Sequence, residues 1–542
     1  MNRKRLLAWL LSAAMLLGTT GCAAERGEKQ AETEPRVPVT EMTLTNQPAQ
    51  VLTGVETDKK VISLIFEGFS DAQSMEQIIR LMEKRKVDCV FFLSGVTVAE
   101  QPEIVRQIRS AGLTLGNYGM TGQKQMEDNG PEKNLRQFER AQEQFEKVCG
   151  TAPSLFRCNA SQYTQELLQA ADAAGLSAGV QPDGYLNHRS FSVASDANVY
   201  VQRLVRGSIL SVKLGQELDS AEYGQVVSIQ EMRPAIDPPP GISDADDDIP
   251  RSIYETLATG LEWLLDALEA EGYTIVSPRR LQAEAVDLFA ERELTADEEA
   301  VLRAAYDLPV TASPLSSVPT QEGTLEDLDG SVFVGDSVMA GLEGYVKWRE
   351  ETAQAETEQA ETAGTESRFP QNMTFLTDTN LSVESNLMRV SEDSVHPTLD
   401  GQKVTISQGI KASGAKRAYL MLPSVDPTLY LGTKPLTNMK LTLYLIQKEN
   451  PQVQLCVVSY PPNRATPETT RTNEQIFRYN LELYRLCCQL DIPYLDAASV
   501  LRDETGALAQ EYCIDLRTYG THLNDAGCEA VLTYLTEHIP AA

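Results

Sequence analysis

Residues 60–72 read KVISLIFEGFSDA. Val61 to Phe66 form an apolar, partly β-branched run, the composition of a strand covered on both faces. Glu67, Gly68 and Phe69 end it. Ser74–Lys86 then places Met75, Ile78, Ile79 and Met82 at helical spacing. The pattern repeats: CVFFLSG (89–95) is a strand, PEIVRQIRSAG (102–112) a helix, and the alternation runs through SILSVKL (208–214) and TIVSP (274–278). Strand-then-helix units specify a parallel sheet with crossover helices. A second series begins at SVFVGDS (331–337), continues through RAYLMLP (417–423), QLCVVSYPP (454–462) and PYLDA (493–497), and closes with a helix from about Asp525 to His538.

Two α/β domains fit the 542 residues and the 42% hydrophobic content. The formal net charge of −30 argues against a nucleic-acid partner, which would require a basic stripe able to release counterions. The N-terminus, MNRKRLLAWLLSAAMLLGTTGC, has a basic start, a short apolar core and small residues before Cys22. That is an export signal over residues 1–21, and TTGC resembles a bacterial lipobox, which implies lipidation of Cys22. The expected location is the extracellular face of a bacterial cytoplasmic membrane, lipid-anchored. Residues 22–55 read as a flexible tether, 56–285 as the first domain, 286–328 as a helix and linker, and 329–542 as the second domain. Within the latter, the acidic low-complexity stretch 350–367 reads as a disordered surface loop. Eight cysteines follow Cys22 without framework or CxxC spacing, so buried free thiols are expected.

In the first domain LIFEGFSD (64–71), DCVFFLSG (88–95), AGLTLGNYG (111–119), GTAPSLFR (150–157) and GLEWLLDALEAEGYTIVSP (260–278) resemble the polysaccharide deacetylase (NodB-type) family. The resemblance implies a distorted (β/α) barrel and removal of acetyl groups from amino sugars by a metal-activated water, the metal held by one Asp and two His. Those positions are changed here. The motif Thr-Phe-Asp-Asp-Gly appears as Ile65, Phe66, Glu67, Gly68 and Phe69, so Glu67 stands at the base and Gly68 at the ligand. The His-x-x-x-His positions hold Tyr118 and Gly122, the third motif begins at Arg157, and the late His is Lys213. His188 is the domain's sole histidine and lies away from every motif. One carboxylate without imidazole does not make a three-ligand catalytic site, so no metal and no cofactor are expected, and N-deacetylase activity is argued against. The acidic run Asp244, Asp246, Asp247 and Asp248 lacks ligand spacing and reads as solvated. A mouth lined by Phe69, Tyr118 and Arg157 would still offer stacking and hydrogen bonds to a sugar.

In the second domain, VFVGDSVMAGL (332–342) sets Ser337 on a strand–turn–helix, and YGTHLNDAGC (519–528) places His522 ahead of the last helix. A GDS near the start with HLN near the end resembles the SGNH/GDSL hydrolase family, which implies a flavodoxin-like α/β/α sandwich and many carbohydrate O-acetyl esterases. By that resemblance Ser337 is the nucleophile and His522 its base. The family's acid position, three residues before the His, is Tyr519, leaving Asp515 as a candidate. The oxyanion blocks fall at Asn380 and at Pro423–Asp426, where Val425 replaces the expected Asn. Such losses cost about 10²–10³ in turnover for an oxyanion donor and about 10⁴ for the orienting Asp.

Two functions fit. The first is a cell-surface lipoprotein with an SGNH-type (O-acetyl)esterase and a catalytically dead deacetylase-like accessory domain, its partners a cell-wall or surface polysaccharide and the membrane. The second is a glycan-binding or scaffold lipoprotein in which both domains are pseudoenzymes.

Overall fold

The computed structural model describes residues 47–214, 257–307, 315–360, 372–424, 436–464 and 471–541, with side chains as far as 352 in the helix ending at 360. The signal and Cys22, Asp244–Asp248 and Val425 lie outside the described residues. Among those described, no helix is long and apolar enough to cross a membrane.

The first domain is built on β1 (Gln50–Leu52), β2 (Val61–Gly68), β3 (Val90–Leu93), β4 (Thr114–Asn117), β5 (Leu155–Phe156), β6 (Ala178–Val180), β7 (Gly184–Leu186), β8 (Ile209–Leu214) and β9 (Thr274–Ile275). They form a nine-stranded sheet in the order β1-β6-β5-β4-β3-β2-β8-β7, with β9 joined to β2. Every pairing is parallel. β1 and β7 end the path without meeting, so the sheet is an open half-barrel, not a closed one. All eight residues of β2 are buried, as its uninterrupted apolar run requires. The expected boundary at residue 56 needs correcting: Gln50–Leu52, read as tether, is a strand paired with β6. Three residues in a polar stretch are too few for periodicity to register.

The second domain contains β10 (Thr320–Gln321), β11 (Ser331–Gly335), β12 (Thr374–Thr377), β13 (Thr398–Leu399), β14 (Gln402–Lys403), β15 (Arg417–Met421), β16 (Gln454–Val458), β17 (Tyr494–Leu495) and β18 (Ile539–Pro540). Five of these make a parallel sheet ordered β12-β11-β15-β16-β17. This doubly wound order switches direction beside β11, where open α/β sheets place their sites outside the carboxyl ends of the strands. The helix Ala296–Asp307, read as part of the linker, packs Leu302 and Ala305 into this domain's core.

The acidic stretch also needs correcting. A helix starting at Ser337 continues through Glu350 to Ala360, so the first part of the expected loop is helical and residues 361–367 lie outside the described residues. Ala, Glu and Gln are strong helix formers and extend a helix already nucleated.

Gly335 shows why the β11 turn has its sequence. A Cβ there would lie 2.6 Å from Met339 Cβ and 2.7 Å from the Met421 carbonyl oxygen. Gly335→Ala should therefore lose about 1–3 kcal/mol in urea unfolding. Gly341→Ala, on an exposed part of the same helix with open space at its Cβ, should gain up to about 1 kcal/mol. Equal behaviour of the two variants would contradict this packing.

Candidate functional sites

The carboxyl end of the first sheet gathers Glu67 from β2, Tyr118 from the turn after β4, Arg157 after β5, and Ser211 and Lys213 from β8. The register sets Glu67 directly beside Lys213, and Ser211, two residues earlier, shares its face. Glu67 is fully buried, and Arg157 and Lys213 are each 1% exposed. One Glu67 oxygen accepts hydrogen bonds from Arg157 Nε at 3.0 Å and Ser211 Oγ at 2.6 Å. The other accepts from Lys213 Nζ at 3.0 Å and Tyr118 OH at 2.8 Å. Arg157 also donates to the Cys158 carbonyl and to Tyr185 OH, and Lys213 to Asn159 Oδ1 at 3.2 Å. Burial pushes the Glu67 carboxyl upward, but the Arg157 and Lys213 charges and the hydroxyl hydrogen bonds outweigh it and bring it to about 2.

These residues do not fit the metal that the resemblance implies. Both Glu67 oxygens are engaged by cations and hydroxyls. Gly68 carries no ligand and holds a φ of +84°, a conformation that favours glycine. Gly122 likewise offers no donor, and Tyr118 is spent on Glu67. Among the described residues, no group of three His, Cys, Asp or Glu side chains is arranged to hold a metal. The expected sugar-stacking mouth also needs correcting, because Tyr118 and Arg157 are buried inside the ion cluster and only Phe69 is partly exposed. The physical reason is the buried carboxylate, which recruits them.

The second site lies at the carboxyl end of β11. Asp336 caps the helix: its side chain accepts from Val338 N–H at 3.0 Å and its carbonyl from Ala340 N–H. Ser337 is therefore the first helical residue, not the cap, and its hydroxyl is left for other work. That hydroxyl lies 3.0 Å from His522 Nε2. His522 Nδ1 lies 2.7 Å from Asp515 Oδ2, and the His522 backbone N–H donates to Asp515 Oδ1 at 3.1 Å. Burial would raise the Asp515 carboxyl, but the hydrogen bonds from the His522 ring and backbone and from the Cys513 thiol hold it below its ordinary value. Asp515 is seven residues before His522 in the chain, and the pair is brought together by a turn in which Thr518 and Gly520 N–H groups donate to the Asp515 carbonyl. Tyr519 points outward, more than half exposed.

The oxyanion-region residues are less complete. Asp378 N–H donates to the Gly335 carbonyl at 3.4 Å, which sets the segment after β12 beside the Ser337 turn. Asn380 N–H donates to Asp378 Oδ1 at 3.2 Å, and its side chain to Thr379. Ser424 is buried and donates to Glu384 Oε1.

With this geometry in view, comparison with known proteins bears on the first domain. Residues 54–179 match the family described as Polysaccharide deacetylase. The chain carries a polysaccharide-deacetylase-type domain. A stretch of 66 residues is 29% identical to the peptidoglycan-N-acetylglucosamine deacetylase of Bacillus cereus, covering 12% of this chain and 31% of that enzyme. The chain is thus matched to about a third of that curated relative's length. Among solved structures it is similar to PdaA of Bacillus subtilis, a family 4 carbohydrate esterase, with TM-score 0.32 and 15% identity over 43% of this chain and 86% of that one. It is also similar to a family 4 pseudoenzyme of Bacillus anthracis, with TM-score 0.33 and 15% identity over 44% and 72% of the two chains.

Sequence reading alone missed Ser211, Asn159 and Tyr185 as members of the deacetylase-type domain's cluster, and Tyr460, whose hydroxyl donates to Asp336 at 2.7 Å. The available signal was the alternation Ser211-x-Lys213 on a strand neighbouring Glu67.

Glu67→Gln leaves two buried cations without their counter-charge and should destabilise the protein by about 3–5 kcal/mol at pH 7. Because folding lowers the Glu67 value from 4.5 to about 2, its contribution is complete above about 4.5 and fades as pH falls toward 2. The difference between wild type and Glu67→Gln in urea unfolding should shrink across that window; a pH-independent difference would contradict it. A chelator or added zinc should leave the unfolding of the deacetylase-type domain unchanged in the same assay.

Proposed function

We propose that this chain is a cell-surface lipoprotein whose second domain is an SGNH-type esterase acting on acyl groups, O-acetyl above all, of cell-envelope carbohydrate. The observation that carries the reading is the continuous contact Ser337–His522–Asp515, at 3.0 and 2.7 Å. In the proposed reaction Ser337 Oγ attacks the ester carbonyl while His522 Nε2 takes its proton. The tetrahedral oxyanion would face the first turn of the helix at Ser337, where the helix dipole favours negative charge, although the Val338 N–H there is already taken by Asp336. Collapse expels the sugar alcohol, which receives the proton from His522. Water then attacks the acyl-serine and loses a proton to His522; the bond to Ser337 Oγ breaks, His522 returns the proton to that oxygen, and the acid leaves. Asp515 orients the imidazole and stabilises its charged form without itself taking the proton.

The carbohydrate context is supported by the polysaccharide deacetylase match and by the named activity of the Bacillus cereus relative on peptidoglycan N-acetylglucosamine. The sequence before Cys22 supports export and lipid attachment. In this reading the deacetylase-type domain is catalytically silent, its Glu67 neutralised by Arg157 and Lys213.

One observation favours the second reading, a glycan-binding or scaffold lipoprotein. The Asn380 N–H is committed to Asp378 and Ser424 is committed to Glu384, leaving the oxyanion side short of donors among the described residues.

A fluorophosphonate probe separates the two. Wild-type protein should label covalently and Ser337→Ala should not. Asp515→Ala should lower ester turnover by on the order of 10⁴, the effect of removing a triad's orienting carboxylate. Equal labelling of wild type and Ser337→Ala, or none in folded wild type, would leave the scaffold reading standing.

A further inference from the structure

The catalytically silent domain is joined to the second domain by a specific set of charges. Lys440, on the helix Thr437–Glu449, is 5% exposed, and its ammonium meets Glu56 at 2.6 and 2.8 Å and also Glu291. On the same helix Lys448 pairs with Asp58 at 2.5 Å. Glu56 and Asp58 lie between β1 and β2 of the deacetylase-type domain. A lysine is buried at such a boundary only when its charge is answered there, so this is a built contact and not a grazing one.

The second group of contacts reaches the segment after β12. Arg206 of the deacetylase-type domain donates to its own Asp58 carbonyl at 2.5 Å and to the Leu387 carbonyl at 3.3 Å. Glu271 accepts from Lys60 Nζ at 3.0 Å and, through the same oxygen, from the Arg389 backbone N–H at 2.8 Å. Leu387 and Arg389 directly follow the short helix Val383–Asn386, which packs on the helix Thr437–Glu449. Val383 N–H donates to the Pro423 carbonyl at 3.0 Å, and Glu384 accepts from Ser424. Upstream, Asp378 N–H reaches the Gly335 carbonyl. One segment thus touches the Ser337 turn at its start, the Pro423–Ser424 loop in its middle and the deacetylase-type domain at its end.

We infer that the deacetylase-type domain is a positioning element for the second domain. It holds the segment Asp378–Arg389 in register beside the Ser337 turn, so that the fold lost to metal chemistry serves as a brace for serine chemistry. The catalytic consequence rests on the esterase reading; the mechanical one does not. Arg206 and Glu271 are the positioning residues, and the Lys448–Asp58 and Lys440–Glu56 pairs set the two domains against each other.

The test uses the whole chain and two readouts. Glu271→Ala, Lys448→Asp, Asp58→Lys and the double reversal Lys448→Asp with Asp58→Lys are compared with wild type. Amide hydrogen exchange should quicken over residues 378–389 in each single variant and return toward wild type in the double reversal. With an acetyl ester substrate, kcat should fall about tenfold in the single variants with KM little changed, within the range such couplings reach, and recover in the double reversal. Unchanged exchange over 378–389 in the single variants would overturn the proposal, whatever the activity. Quickened exchange with unchanged kcat in an active enzyme would overturn its catalytic half. Wild type that fails to label at Ser337 would overturn the esterase reading instead, and the exchange result would still decide whether the domain braces the segment.

Discussion

A fully buried carboxylate dominates the first domain. Glu67 stands at the end of a strand covered on both faces, where an uncompensated charge would be expelled or neutralised. A metal ion is one way of supplying the opposite charge; a lysine on the adjacent strand β8 and an arginine that follows β5 are another. Lys213 and Arg157 take that second course, with Ser211 and Tyr118 completing the hydrogen bonds. The choice has consequences for everything around it. Arg157 and Tyr118 face inward onto Glu67, so they are withdrawn from any ligand, and the edge of the sheet closes over an ion cluster. What remains at that end of the sheet is a charge-balanced, hydrogen-bonded cluster.

The second domain meets the same sheet-edge geometry with a different outcome. Gly335 lets β11 approach Met421 closely, Asp336 takes the cap, and Ser337 is left at the first position of a helix with its hydroxyl on His522. Here the carboxylate, Asp515, is only partly covered and is paired with an imidazole and not with a fixed cation. A pair of that kind can move a proton, whereas the Glu67 carboxylate is held between an ammonium and a guanidinium. The contrast between the two carboxylates is the physical basis on which we propose chemistry for one domain and support for the other.

Much of this was legible in the sequence, for definable reasons. Long apolar runs such as Val61–Phe66 and Val332–Gly335 announce buried parallel strands, and the substitutions at Glu67, Gly68, Tyr118, Gly122 and Lys213 announce a changed site. What the sequence withheld depends on distance. Asp515 reaches His522 through a turn that no spacing rule specifies, while Tyr519, three residues before His522, faces solvent. The burial of Tyr118 and Arg157 follows from their convergence on one carboxylate, a three-dimensional fact. Gln50–Leu52 escaped as a strand because three residues carry no period. Glu350–Ala360 escaped as a helix because its acidic, low-complexity composition masks a run of good helix formers that extends an existing helix.

Ser337, by the proposed function, is an activated nucleophile. The most direct test is intact-mass spectrometry of the protein mixed with an activated acetyl ester and quenched in acid, followed by mapping of the modified peptide. The account predicts one acetyl group on Ser337, absent in Ser337→Ala and indifferent to a chelator. No acetylation at Ser337 in folded protein, or acetylation elsewhere that persists in Ser337→Ala, would contradict it.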